Sequence, residues 1–253
     1  MRGVIIILKI ILSKFFKFCG YEIKRSTSNF NQKKNQFYTI KSILNDHENI
    51  IIFDVGANKG EMTKIYRTLL PKSYIYAFEP IPKSYDDLSK LSISDPKTFT
   101  YRLAISNKTK RLKFNINQNH KTSSLLKSEI IAKKYWGNNE LKTVKIINVD
   151  CIKIDDFCND NNIKYINFLK LDIQGSELDA LKGAKNLFEN KKIQIIYTEI
   201  SIFNSYLNQG SFPKIVSYLY KYNFELFDIY KVIRRKGRLM EIDAMFINKK
   251  FLK

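Results

Sequence analysis

The sequence predicts an α/β protein: a doubly wound, mostly parallel sheet of seven strands with helices on both faces. Two observations carry this. Seven apolar runs of strand length fall at residues 50–53, 74–78, 99–105, 166–171, 193–198, 224–230 and 242–247, with helix-compatible segments between several of them. The first run ends abruptly on Asp54 and enters a glycine turn, "DVGANKGEM", the sequence form of a strand-to-helix turn at the carboxyl edge of such a sheet.

Composition bounds the rest. The 253 residues suit one α/β domain with additions, and a 44% hydrophobic fraction supports a sizeable core. Five prolines and nine glycines argue against long disordered linkers. A formal net charge of +20 invites a nucleic-acid or membrane-surface reading. The lysines, however, are scattered and accompanied by many Asn and Ile, the triad that an AT-rich genome writes by codon bias, so no nucleic-acid partner is expected. Cys19, Cys151 and Cys158 are odd in number and lack C-x-x-C spacing, which reads as free thiols in a reducing compartment. His47 and His120 are too few for a histidine-rich metal site.

The elements follow in chain order. In "MRGVIIILKIILSKFFKFCGYEIKR" the longest charge-free apolar run, 4–8, is far short of the ~20 residues that span a bilayer. Lysines interrupt any signal-peptide core, and no small-x-small cleavage site follows. Residues 4–18 instead fit an amphipathic helix, with Val4, Ile5, Leu8, Leu12, Phe15 and Phe16 forming a broad apolar face beside Arg2, Lys9, Lys14 and Lys17. The expected partner for that face is a membrane surface, which would hold a cytoplasmic protein at the inner face of the cell membrane; packing against protein is the alternative. Polar residues 26–36 form a linker, giving an appended segment 1–36 and a main domain 37–253. Within that domain, helices are expected at 60–70, 83–91, 176–188 and 213–222; in the third, Leu178, Leu181, Ala184 and Leu187 recur at helical spacing. Between Ser106 and Tyr165 lie about sixty residues, too many for one crossover helix. Strand-like "RLKFNIN" and "VKIINVDCIKI" in this interval predict a β-rich inserted cap, 107–164, after the third strand and over the carboxyl edge of the sheet.

The glycine turn allows a close backbone approach to a ligand. Its spacing, Gly56-x-x-x-Gly60 with Asn58 between, is not the G-x-G-x-x-G of dinucleotide folds. Asp54 before the turn would repel a pyrophosphate and suits a cationic ligand such as S-adenosylmethionine, which carries a sulfonium and an ammonium. Glu79 ends the second strand in "AFEPIP", where a carboxylate can accept both hydroxyls of a ribose. The third strand ends in Ala104 and Ser106, expected beside the adenine. The fourth ends in Asp172, expected over the methyl group, and the fifth ends in Glu199. Glu177, in the first turn of the following helix, suits either the helix dipole or the site.

The blocks "FDVGANKGEM", "AFEPIP", "LAIS", "VDCIKIDDF", "INFLKLDIQGSELDALKGA" and "IIYTEIS" together resemble the FkbM family of methyltransferases, in the family's order, over roughly residues 50–205. The resemblance implies a class I, Rossmann-like methyltransferase fold, S-adenosylmethionine as cofactor, and O-methylation of a hydroxyl on a sugar, surface glycan or natural product. Asp54, Gly56, Asn58, Gly60 and Glu79 carry over as cofactor residues. "KIDDF" departs conservatively from the family's "TLDDF", and Thr122–Ser123–Ser124 resembles its "SSL" block.

Methyl transfer to an alcohol needs a group that takes the hydroxyl proton. Asp172, Glu199 and His120 are the candidates. A divalent metal held by Asp172 and Glu199 is a further route, although two carboxylates do not make a site and none is assigned. Two other functions compete: an RNA methyltransferase, favoured only by charge and lacking a D-P-P-Y block, and a non-catalytic nucleotide-binding protein, disfavoured by the glycine spacing.

Overall fold

A computed structural model describes residues 35–44, 47–137 and 139–252; the expected amphipathic helix over 4–18 and most of the linker lie outside the described residues. The chain divides into two compact units, residues 1–40 and 41–253. Helix α1 spans Gln36–Leu44, and the rest of the description concerns the larger unit.

Strand β1 (Ile51–Val55) leads through α2 (Glu61–Leu69) to β2 (Tyr74–Phe78), and α3 (Pro82–Ser94) leads to β3 (Thr98–Tyr101). The chain then builds β4 (Ala104–Ile105), β5 (Lys110–Asn117), a 3-10 turn His120–Thr122, the short helix α4 (Lys133–Trp136), β6 (Thr143–Ile152) and α5 (Ile154–Asp160). It returns to the sheet through β7 (Ile166–Leu171), α6 (Glu177–Lys182), α7 (Lys185–Glu189), β8 (Ile193–Ser201), α8 (Phe212–Lys221) and the hairpin β9 (Phe224–Arg235)–β10 (Arg238–Asn248).

The main sheet has the order β3-β2-β1-β7-β8-β10-β9. All neighbours are parallel except β10, which runs antiparallel to both β8 and β9. Every residue of β7 and β8 is buried, as expected of parallel strands covered on both faces. Phe53, Tyr76, Phe78 and Tyr101 pack around Phe157 of α5, with centroid separations of 4.8–6.1 Å, and tie the first three strands to the helix below them. The chain reverses its direction of travel across the sheet between β1 and β7, which opens a crevice at their carboxyl ends.

Three expectations change in detail. The run 99–105 is two strands: β3 stays in the main sheet, whereas Ala104–Ile105 pairs with Cys151–Ile152 in a separate sheet of order β4-β6-β5. The 176–188 helix breaks at Gly183, where a Cβ would lie 2.3 Å from the Ser106 carbonyl oxygen. A new turn then begins at α7, capped by Asp155 of "KIDDF", which accepts from the N–H groups of Asn186 (2.8 Å) and Leu187 (3.1 Å). The last hairpin is longer than its apolar runs. Its extension turns at Lys236–Gly237, both with positive φ, and Arg238 sits 4.5 Å from the ring centroid of Phe203. Cys151 and Cys158 are free, and burial pushes their thiols up to about 11 and about 12.

Candidate active site

A cleft opens at the carboxyl ends of β1, β2, β7 and β8, and the inserted segment covers one side of it. Val55 stands beside Leu171 in the sheet, so Gly56 and Asp172 leave the two strands side by side. Gly56 has φ +75°, and a Cβ on it would meet the Asp172 carbonyl oxygen at 2.0 Å. The glycine therefore lets two strand ends pass each other, and this packing need precedes any role toward a ligand. Gly60, at φ +81°, is the N-cap of α2 and packs against Leu88 and Leu91. It does not line the cleft.

Asp54 is also beneath the cleft rather than in it. Its side chain is fully buried, accepts a hydrogen bond from Thr63 Oγ1 (2.7 Å), and pairs with Lys170 Nζ at 3.1 Å. Lys170 sits directly opposite Asp54 in the β1–β7 register and donates to the Gly56 carbonyl at 2.9 Å. The expected contact between Asp54 and a cationic ligand is thus corrected: an internal ammonium already neutralises this carboxylate, and the pair braces the turn.

Glu79 lies directly after β2, in the wall of the cleft. Its Oε2 accepts from the Asn58 N–H (3.0 Å) and its Oε1 from the Ile81 N–H (2.8 Å), which fixes the carboxylate at the cleft wall. Burial pushes its pKa up to about 7 against the opposing effect of those two donors. Each oxygen retains a lone pair for a ligand hydroxyl. Beyond it, Ile81, Leu103, Ala104, Ile105 and Phe114 form an apolar wall. Ser106 is not part of that wall: its N–H donates to the Ile152 carbonyl and its backbone packs against Gly183, so its expected contact with an adenine is corrected too.

The far end of the cleft gathers the residues expected to serve as base. Asp172, Glu199 and His120 all line it. Gln174, which the sequence reading passed over, joins the first two: its Nε2 donates to Asp172 Oδ1 (3.1 Å) and to Glu199 Oε1 (2.7 Å). Gln174 has φ +55°, its carbonyl accepts from Ser124 Oγ (2.7 Å), and Tyr206 Oη lies 2.9 Å from its Oε1. Glu177 holds the same loop, its Oε1 accepting from the N–H groups of Ile173 and Gly175. Burial and the nearby charges of Asp172, Glu241 and Glu177 hold Glu199 well above the usual carboxylate range. Asp172 is the half-exposed member of the pair, open to an acceptor.

Lys231 was also missed. It reaches in from β9 and lies 3.8 Å from Glu199 and 3.9 Å from Asp243, in one cross-strand row. A lysine inside the apolar strand "INFLKL" was a legible sign for Lys170; no comparable sign marked Gln174 or Lys231. Among the described residues no group of three or more His, Cys, Asp or Glu side chains is placed to hold a metal ion.

The cleft's contents fit a nucleoside with a non-phosphate tail. A buried carboxylate, Glu79, stands at one end, an apolar wall follows, and the other acidic groups of the lining, Glu61, Asp172 and Glu199, each have a lysine within 4 Å.

Comparison with known proteins places the chain. The model of the methyltransferase FkbM domain matches residues 54–226. The 2-O-methyltransferase NoeI of Sinorhizobium fredii is 26% identical over 167 residues, covering 64% of this chain and 67% of the relative. The hexuronic acid methyltransferase AglP of Haloferax volcanii is 26% identical over 149 residues, covering 59% of this chain and 56% of the relative. Among solved structures, TrmK of M. capricolum with S-adenosyl-homocysteine superposes with a TM-score of 0.45 at 12% identity, covering 85% of this chain and 68% of that one. Magnesium protoporphyrin IX methyltransferase of Synechocystis PCC 6803 with bound SAM does so with a TM-score of 0.45 at 8% identity, covering 95% and 97%. With the family's model matching well over half of its length and the matched blocks forming the cleft, the chain belongs to the FkbM methyltransferase family.

Proposed function

We propose that this protein is a sugar O-methyltransferase that uses S-adenosylmethionine. The observation that carries the reading is the cleft's division of labour: Glu79 and an apolar wall at one end, and the Asp172–Gln174–Glu199 constellation at the other. One relative named for methylation of a hexuronic acid and one named a 2-O-methyltransferase support the choice of acceptor class and of oxygen as the methylated atom.

S-adenosylmethionine supplies, when bound, a methyl group on a sulfonium that a nucleophilic oxygen can displace. Glu79 accepts the ribose hydroxyls, and Ile81, Leu103, Ala104 and Ile105 cover the adenine. Lys170 cancels the Asp54 charge and fixes the turn that carries Asn58. At the other end, Asp172 takes the proton of the acceptor hydroxyl. Gln174 holds Asp172 and Glu199 in fixed orientation, so the base is in place before the acceptor arrives. Burial and the neighbouring Asp172 charge favour the protonated form of Glu199, which eases the repulsion between the two carboxylates.

The test is transfer of an isotope-labelled methyl group from S-adenosylmethionine to a panel of methyl glycosides, read by mass spectrometry. A product carrying the label as a methyl ether is the expected result. Label appearing only in RNA or protein, with none in any glycoside, would overturn the reading.

A further inference from the structure

A second cavity lies behind Gln174, walled by Asn119, Trp136, Glu140, Arg235 and Glu241. It is built by three separate parts of the chain: the inserted segment through the 3-10 turn and α4, the loop after β8, and the β9–β10 hairpin. It meets the cleft already described at Lys121 and Gln174, which line both.

The lining has a specific chemistry. Glu140 and Glu241 offer acceptor oxygens and Asn119, Lys121 and Arg235 offer donors; Asn119 Nδ2 already donates to Glu140 Oε2, which leaves Glu140 Oε1 for a ligand. Trp136 offers a flat apolar surface. Its Nε1 donates to Ser205 Oγ (3.0 Å) and the Arg235 guanidinium lies 5.4 Å from its ring centroid, so the indole is held in one orientation. The lining carries two cations, Lys121 and Arg235, and two carboxylates, Glu140 and Glu241, so its formal charges balance.

We infer that this cavity is the acceptor subsite and that it takes a neutral sugar ring. The ring's hydroxyls exchange hydrogen bonds with Glu140, Glu241, Asn119 and Arg235, and an apolar ring edge rests on Trp136. Gln174 and Lys121 line both cavities, so a ring seated here adjoins the cleft that Asp172 lines. This rests on the sugar O-methyltransferase reading and adds to it the place of binding and the charge class of the acceptor.

Trp136 is the single tryptophan of the chain, so intrinsic fluorescence reports on this cavity directly. The full-length protein, saturated with S-adenosylhomocysteine, is titrated with neutral methyl glycosides of hexoses, 6-deoxyhexoses and N-acetylhexosamines, and with methyl glucuronides. Saturable changes in emission are expected from neutral glycosides and not from glucuronides at the same concentration. Glu140→Gln loses a charge-assisted hydrogen bond and is expected to raise KM for a neutral glycoside about tenfold. It should leave kcat and S-adenosylhomocysteine affinity unchanged. Glycosides that accept the methyl group without altering Trp136 emission, or a Glu140→Gln KM equal to wild type, would overturn the subsite while leaving sugar methylation standing. Tighter binding of a glucuronide would overturn the neutral-ring assignment. Failure of every glycoside to bind or to accept methyl, with S-adenosylhomocysteine binding intact, would sink both readings together.

Discussion

Replacing Glu79 by Gln probes the nucleoside end of the cleft. In the wild type each carboxylate oxygen accepts one buried backbone N–H, from Asn58 and from Ile81. An amide offers one oxygen and one NH2, so one of those N–H groups loses its acceptor, at a cost of about 1–3 kcal/mol. The variant also replaces two charge-assisted bonds to ribose hydroxyls, each worth about 1.5–3 kcal/mol, by at most one neutral bond. A net loss of about 3 kcal/mol in binding corresponds to roughly two orders of magnitude in Kd for S-adenosylhomocysteine. A pH signature accompanies it. Burial raises Glu79 to about 7, and the ionised carboxylate is the better acceptor. Its ionised fraction falls from about nine-tenths near pH 8 to about one-tenth near pH 6, so wild-type affinity should fall by up to about tenfold over that range. Glu79→Gln should show a flat profile. Calorimetry with S-adenosylhomocysteine at constant ionic strength measures both effects, and urea unfolding of each protein controls for stability. If the variant binds within about threefold of wild type and follows the same pH trend, Glu79 serves only as a cap for its loop.

Asp172→Asn is expected to lower methyl transfer by about 10²–10⁴ while changing S-adenosylhomocysteine affinity only slightly, as single-turnover kinetics and calorimetry can show. Lys170→Met strands the fully buried Asp54 with only Thr63 as a donor and should cost about 3–5 kcal/mol in urea unfolding; adding Asp54→Asn should restore part of that loss. Glu177 is raised to about 7 in the fold from an ordinary 4.5, chiefly by burial, so its ionisation weakens the native state increasingly as pH rises from 4.5 to 7. Glu177→Gln, whose amide oxygen can still accept from Ile173 and Gly175, should therefore add about 2 kcal/mol at pH 8 and nothing near pH 4. The proposed membrane contact of residues 4–18 predicts that deleting residues 1–25 abolishes sedimentation with anionic vesicles at low salt, with methyl transfer to soluble glycosides retained.

What the sequence determined by itself was local in origin. A strand buried on both faces must be continuously apolar, so "INFLKL" and "IQIIYTEIS" announced the centre of the sheet. The turn after β1 needs positive φ at Gly56 and Gly60, so its glycines were legible, and Glu79 and Asp172 could be placed at strand ends from the runs that precede them. What only the tertiary structure decided was which polar groups face the cleft and which face each other. Asp54 and Glu79 are both carboxylates at strand ends, yet the β1–β7 register sets Lys170 against Asp54 and leaves Glu79 open. Register likewise aligns Lys231, Asp243 and Glu199 across β9, β10 and β8, residues that lie far apart in the chain. Ser106 was lost to the site because the chain left the main sheet after β3 to pair with β6, and Gln174 gained its place through a left-handed backbone held by Ser124. Strand pairing and close backbone packing are long-range outcomes. A buried charge takes as its partner whatever the neighbouring strand delivers, and one chain's residue order does not state that neighbour.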